Sequence, residues 1–150
     1  MNTGEIHHVI QKLVKRYETN DPFQLCKYLG INVVYMPLGD TIVGYRTTML
    51  RIPTIVLNEN NTDSMMYLGC NHELGHHCCG HKGNTDFLMK NNLRYQTFGV
   101  EFEANTFMVG LILHNANVEY FQTKQEIMRA YGLPMWTERY INWENLSFDV

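Results

Sequence analysis

His72-Glu73-Leu74-Gly75-His76 is the stretch on which the reading of this chain turns. On an α-helix, residues four apart lie on one face, one turn above the other, so His72 and His76 can aim their imidazoles at one point. Glu73 projects about 100° round the helix from His72. It stands outside the histidines' shared direction but within reach of a water held at the same point. Two nitrogen donors, a nearby carboxylate and an open position suit a zinc ion used for hydrolysis. The alternative is a polar helix face with two surface histidines, and the flanking residues speak against it. Thr62-Asp63-Ser64 supplies an N-cap, Met65, Leu68, Gly69, His72, Gly75, His76 and Cys79 follow at three-or-four spacing, and Gly80 is a stop. The histidines therefore fall on the inward stripe, where they need partners, and one ion would serve both.

A catalytic zinc site ordinarily takes three protein ligands. The next acids are Asp86, Glu101 and Glu103, the last two within residues 100–111, which read as a helix with an apolar stripe of Val100, Ala104, Phe107 and Leu111. Glu103 sits inside that stripe. A bare carboxylate is costly to bury there, and coordinating a cation removes the cost. Glu101 shares its face with Asn105 and Met108, a more mixed surface, and reads as a solvated acid. Glu103 is thus the expected third ligand.

H-E-L-G-H followed by a second helix reading E-x-E-A-N-x-F resembles the ImmA/IrrE family of metallopeptidases. The resemblance covers about residues 31–113, with Ile55-Val56-Leu57-Asn58 matching the strand before the motif helix. It implies a zincin-like pair of active-site helices and a gluzincin-like site, with zinc on His72, His76 and Glu103 and with Glu73 as general base. It also implies a regulatory protease of phage or mobile-element type, whose substrate is a transcriptional repressor made as a separate protein. Two features depart from the family pattern. The residues after the motif, His77-Cys78-Cys79-Gly80-His81, are thiol-rich, and Met108 stands where a small or apolar residue usually follows E-A-N-x-F.

Other zinc arrangements fit less well. A metzincin would need H-E-x-x-H-x-x-G-x-x-H, and Gly80 and His81 are both out of phase with it. A structural knot of Cys70, Cys78, Cys79 and the histidines lacks a C-x-x-C pair, and adjacent Cys78 and Cys79 point to different helix faces. Buried free thiols of a reducing compartment are the simpler reading.

The chain of 150 residues, 45% hydrophobic and 18% charged, suits one domain over residues 1–150 with a real core. Its net charge of -3 gives no general affinity for nucleic acid. No run is long and apolar enough to span a membrane, and residues 1–16 lack a signal-peptide core, so a cytoplasmic protein is expected. Thr3 to Glu18 reads as an amphipathic helix, and Asp21-Pro22 starts a second that ends at Gly30. Residues 31–36, 41–49 and 54–58 read as strands. The fold expected is α+β, with helices around a small, largely antiparallel sheet and the metal between two helices. An edge of that sheet would align an extended peptide.

His81, Arg94 and Tyr95 are candidates for stabilising an oxyanion. Thr123-Lys124-Gln125-Glu126 is a capping box, and Pro134 opens a last helix carrying Trp136, Tyr140, Ile141 and Trp143. This pair faintly resembles a helix-turn-helix, but only Lys124, Arg129 and Arg139 are basic in it. Two rival functions follow: a binding or regulatory module with a non-catalytic zinc, and a DNA-associated regulator. The intact Glu73 favours the enzyme, because a structural site has no use for it.

Overall fold

The computed structural model describes residues 1–82, 88–89 and 99–146. In chain order the elements are α1 (Thr3–Tyr17), α2 (Pro22–Tyr28), β1 (Asn32–Met36), β2 (Ile42–Met49), β3 (Ile52–Asn58), α3 (Asp63–Cys78), β4 (Leu88–Met89), α4 (Gly99–Ile112) and α5 (Lys124–Ala130). Short 3-10 helices occupy Val118–Tyr120, Met135–Tyr140 and Trp143–Leu146. The fold is α+β, as expected.

The helix ends follow from local chemistry. Asn2 and Glu5 form a reciprocal capping box on α1, with the Asn2 side chain accepting from the Glu5 N–H at 2.8 Å. Asp21 caps α2 and Pro22 takes its first position, while Thr62 accepts from the Met65 N–H and starts α3. The carbonyls at the far end of α4 find a partner in Asn20, whose amide donates to Leu111 and His114.

The sheet has the order β1-β3-β2-β4. β2 pairs antiparallel with both β3 and β4, and β1 lies parallel to β3 from Asn32 opposite Thr54 to Met36 opposite Asn58. The turn between β2 and β3 places Leu50 and Arg51 in the left-handed region, at φ 51° and 67°, with no glycine to ease it. Pro53 follows inside β3, opposite Thr48. At the other end of β3, the fully buried Asn58 donates to the Gly39 and Ile42 carbonyls and accepts from the Leu38 and Asn60 N–H groups. All its hydrogen-bonding capacity is used, which locks the connection between β1 and β2 to the point where β3 turns towards α3.

Two apolar clusters meet at the central helices. One joins Ile6 and Ile10 of α1, Leu25 of α2, Ile55 and Leu57 of β3, Leu74 of α3, and Phe107 and Leu111 of α4. The other joins Leu68 of α3 and Met108, Val109 and Ile112 of α4 to Ile127 and Met128 of α5 and to Tyr140. From Ala104 to Val109, α4 is buried on every side.

The expected last helix after Pro134 is corrected to two 3-10 segments. The Pro134 carbonyl accepts from both the N–H and the hydroxyl of Thr137, three residues on, and those bonds hold the tighter winding. With no α-helix in the second position, the likeness to a helix-turn-helix does not hold. Among the described residues, no helix is long and apolar enough to cross a membrane.

Candidate metal centre

α3 and α4 approach closely because Gly75 has no side chain. A Cβ there would stand 2.9 Å from the Ala104 carbonyl oxygen and 3.1 Å from the Phe107 side chain. This seam sets the first turn of α4 opposite the two histidines of α3. His72 Nε2 and His76 Nε2 are 3.2 Å apart. The Glu101 carboxylate meets both, at 3.2 Å from His72 Nε2 and 3.1 Å from His76 Nε2.

The three side chains offer donor atoms that all lie within 4.8 Å of one another. Tetrahedral zinc with ligands at about 2.0–2.1 Å separates its donors by about 3.3 Å. The 3.2 Å between the two imidazole nitrogens is close to that edge, and Glu101 meets them through different oxygens, Oε2 towards His72 and Oε1 towards His76, so two nitrogens and a carboxylate of suitable chemistry converge on one point.

Glu101, not Glu103, is therefore the carboxylate that faces the histidines. Glu103 accepts from His81 Nε2 at 3.0 Å and from the Met1 amino group at 2.6 Å. Glu103, with its side chain 13% exposed, needs partners of opposite charge or hydrogen-bond donors. Its partners are the His81 imidazole and the Met1 ammonium. Asn105 shares the face of α4 that meets the two histidines of α3. It lies one turn beyond Glu101 on the same face of α4, and its Oδ1 meets His72 Nδ1 at 2.8 Å.

Burial and mutual contact set the charges in this cluster. Burial opposes ionisation of Glu101, but its contacts with His72 and His76 outweigh that and hold the carboxyl far below its ordinary range. Burial likewise opposes charge on both imidazoles. At His72 the contacts with Glu101, Glu73 and Asn105 prevail and raise the pKa. At His76, burial and the neighbouring His72 and His81 prevail and lower it. Glu73 is fully buried, and Arg46 of β2, itself buried, is near enough for each charge to stabilise the other. Arg46 also donates to the His81 carbonyl. Nothing in the sequence pattern marked Arg46, because a lone arginine in a strand has many uses.

The profile of the IrrE N-terminal-like domain, peptidase M78, matches residues 26–140. The chain belongs to this family. The IrrE-like region thus runs from the end of α2 through the sheet and both helices of the candidate centre, and the family is one of metallopeptidases. An uncharacterized immunity region protein 2 of Bacillus phage phi105 is 34% identical over 133 residues, 86% of this chain and 84% of the phage protein.

The other expected site residues fall differently. The His81 ring is engaged by His76 and Glu103 and so is committed elsewhere than to an oxyanion. Arg94, Tyr95 and Asp86 lie outside the described residues. Cys26 and Cys70 are buried with their sulfurs 3.9 Å apart, and burial pushes the Cys78 thiol up to about 12 and the Cys79 thiol up to about 11. None of the four belongs to the donor cluster found among the described residues.

Proposed function

We propose that the chain is a zinc-dependent endopeptidase of gluzincin-like type, with His72, His76 and Glu101 as ligands and Glu73 as general base. The observation that carries the reading is the convergence of two imidazole nitrogens and one carboxylate within 4.8 Å of one another, beside a buried second carboxylate. The chemistry that zinc supplies in such a site is Lewis acidity towards water and towards a scissile carbonyl. His72 and His76 present Nε2 lone pairs, and Glu101 brings the negative charge that favours a cation. Glu73 takes the attacking water's proton onto a carboxylate oxygen and passes it to the departing amine nitrogen. Arg46 favours the ionised form of Glu73 needed for the first of these transfers.

The substrate in this proposal is a transcriptional repressor encoded separately, cut at a defined place to relieve repression, which puts the reaction in the cytoplasm. The similarity to a phage immunity region protein supports that setting.

Glu73→Gln tests the mechanism. The amide is nearly isosteric, so fold and zinc content should persist, while cleavage should fall about 10²–10⁴-fold through loss of acid–base catalysis. Co-expression with a candidate repressor, followed by immunoblot for the fragment and pull-down for the complex, reads both effects. Cleavage by Glu73→Gln at the wild-type rate would refute the assignment. A wild type that binds and regulates but never cuts would make the protein a binding module.

A further inference from the structure

His76 offers its second ring nitrogen to another imidazole: Nδ1 lies 2.8 Å from His81 Nδ1. His81 Nε2 in turn lies 3.0 Å from Glu103 Oε2. Proton placement along this line has one consistent solution. A carboxylate only accepts, so the His81 proton must sit on Nε2. His81 Nδ1 is then a lone pair and needs a donor, so the His76 proton must sit on Nδ1. That leaves the His76 lone pair on Nε2, the atom that faces His72 and Glu101. Between His76 and Glu103 any other neutral arrangement sets two N–H groups, or two lone pairs, against each other, and the lone pairs that this one turns towards each other at His72, His76 and Glu101 are those a cation would join.

The line is held in place by the backbone as well. Gly80 ends α3 in the left-handed conformation, at φ 78°, and folds the next residue back beneath the helix end. The His81 N–H donates to the His76 carbonyl at 3.0 Å, and Arg46 donates to the His81 carbonyl. The His81 and Glu103 side chains are only 9% and 13% exposed, so water competes little for these bonds. His72 reaches the same end by a single step, donating Nδ1–H to Asn105 Oδ1.

We propose that His81 and Glu103 form a positioning relay that fixes the tautomer and ring orientation of His76 for metal binding. The proposal rests on the metal reading above and assigns neither residue a contact with the ion or the substrate. Glu103 is thereby given a definite task at the centre without being a ligand, and the residue after Gly80 acquires one that a packing role would not require. Outer partners of this kind ordinarily change metal affinity by about 10–100-fold.

The test measures zinc affinity by competition with a chromophoric chelator, together with the visible spectrum of the cobalt-substituted protein. His81→Leu and Glu103→Leu should each keep one ion per chain, bind zinc about 10–100-fold more weakly and shift the cobalt bands. His81→Asn and Glu103→Gln, which each retain an acceptor oxygen, should recover part of the loss. The double leucine variant should lose little more than either single one, because breaking a relay twice costs no more than breaking it once. Circular dichroism verifies folding, and either single variant with its conservative partner carries the test if the other fails to fold. Wild-type affinity and spectra in both single variants, or fully additive losses, would refute the relay while leaving the metal site intact. Complete loss of the ion in Glu103→Leu, equal to that in Glu101→Gln, would make Glu103 a ligand and overturn the proposal. A wild-type chain that takes up no ion would refute the metal reading itself and the relay with it.

Discussion

Replacing Gly75 by alanine adds one methyl group at the tightest point between α3 and α4. The new carbon would stand 2.9 Å from the Ala104 carbonyl oxygen and 3.1 Å from both Cβ and Cδ1 of Phe107. Comfortable carbon contacts lie at about 3.5–4.0 Å. Neither neighbour can swing aside, because one is backbone and the other is a fully buried ring. Overpacking of this kind costs about 1–3 kcal/mol. Alanine regains about 0.5–1 kcal/mol over glycine in helix propensity. The net loss of up to about 2.5 kcal/mol corresponds to a Tm lower by up to roughly 10 °C at this chain length. The strain is relieved by parting the two helices, which draws Glu101 away from the histidines, so zinc affinity should fall with stability. Gly110→Ala is the control. A Cβ there meets only Ile10 Cδ1, at 2.7 Å, the tip of a side chain that can change rotamer. That variant should be neutral or gain up to about 1 kcal/mol, with zinc binding unchanged. Urea denaturation and a zinc competition titration on both variants decide the matter. A Gly75→Ala protein as stable as wild type, with undiminished zinc affinity, would refute the argument that this seam positions the carboxylate.

Asn58→Ala should cost about 2–4 kcal/mol in urea denaturation, since it removes four hydrogen bonds from a buried site and strands several backbone groups. A loss under about 0.5 kcal/mol, less than one net hydrogen bond, would mean that solvent replaces those bonds freely. The triple change of Cys70, Cys78 and Cys79 to alanine should lower stability through lost packing and leave zinc at one ion per chain. Elemental analysis of the folded triple variant checks this, and loss of zinc would bring the thiols back as ligands.

The elements with strong local chemistry were legible in the sequence. Asp21-Pro22, Thr62, Gly30, Gly80 and Thr123 mark helix ends through caps and left-handed turns, and they stand where the spacing predicts. His72 and His76 were legible because a helix leaves residues four apart no choice but to share a face. The third carboxylate was not, and the reason lies in α4. A helix buried on all sides has no single stripe, so the apolar pattern that seemed to pull Glu103 inward describes packing against several neighbours at once. Val100, placed on that stripe, is half exposed. What separates Glu101 from Glu103 is which side of α4 meets α3, a tertiary fact recorded in sequence only by Asn105 one turn on. The 3-10 winding after Pro134 was hidden for a related reason. It depends on Thr137 returning two hydrogen bonds to one carbonyl, a competition that hydrophobic spacing does not register.

Pro53 has a consequence for how the protein meets other molecules of its kind. The β2–β3 hairpin runs beyond the start of β1, which reaches only to Thr54, and its tip carries the exposed side chains of Met49, Leu50 and Ile52. An apolar ribbon of that sort invites a stray strand to add itself and begin aggregation. At Pro53 such a strand finds no N–H to pair with. The residue thus acts as a gatekeeper, and Pro53→Val would give the hairpin a continuous ladder of donors on which sheets of neighbouring chains could grow.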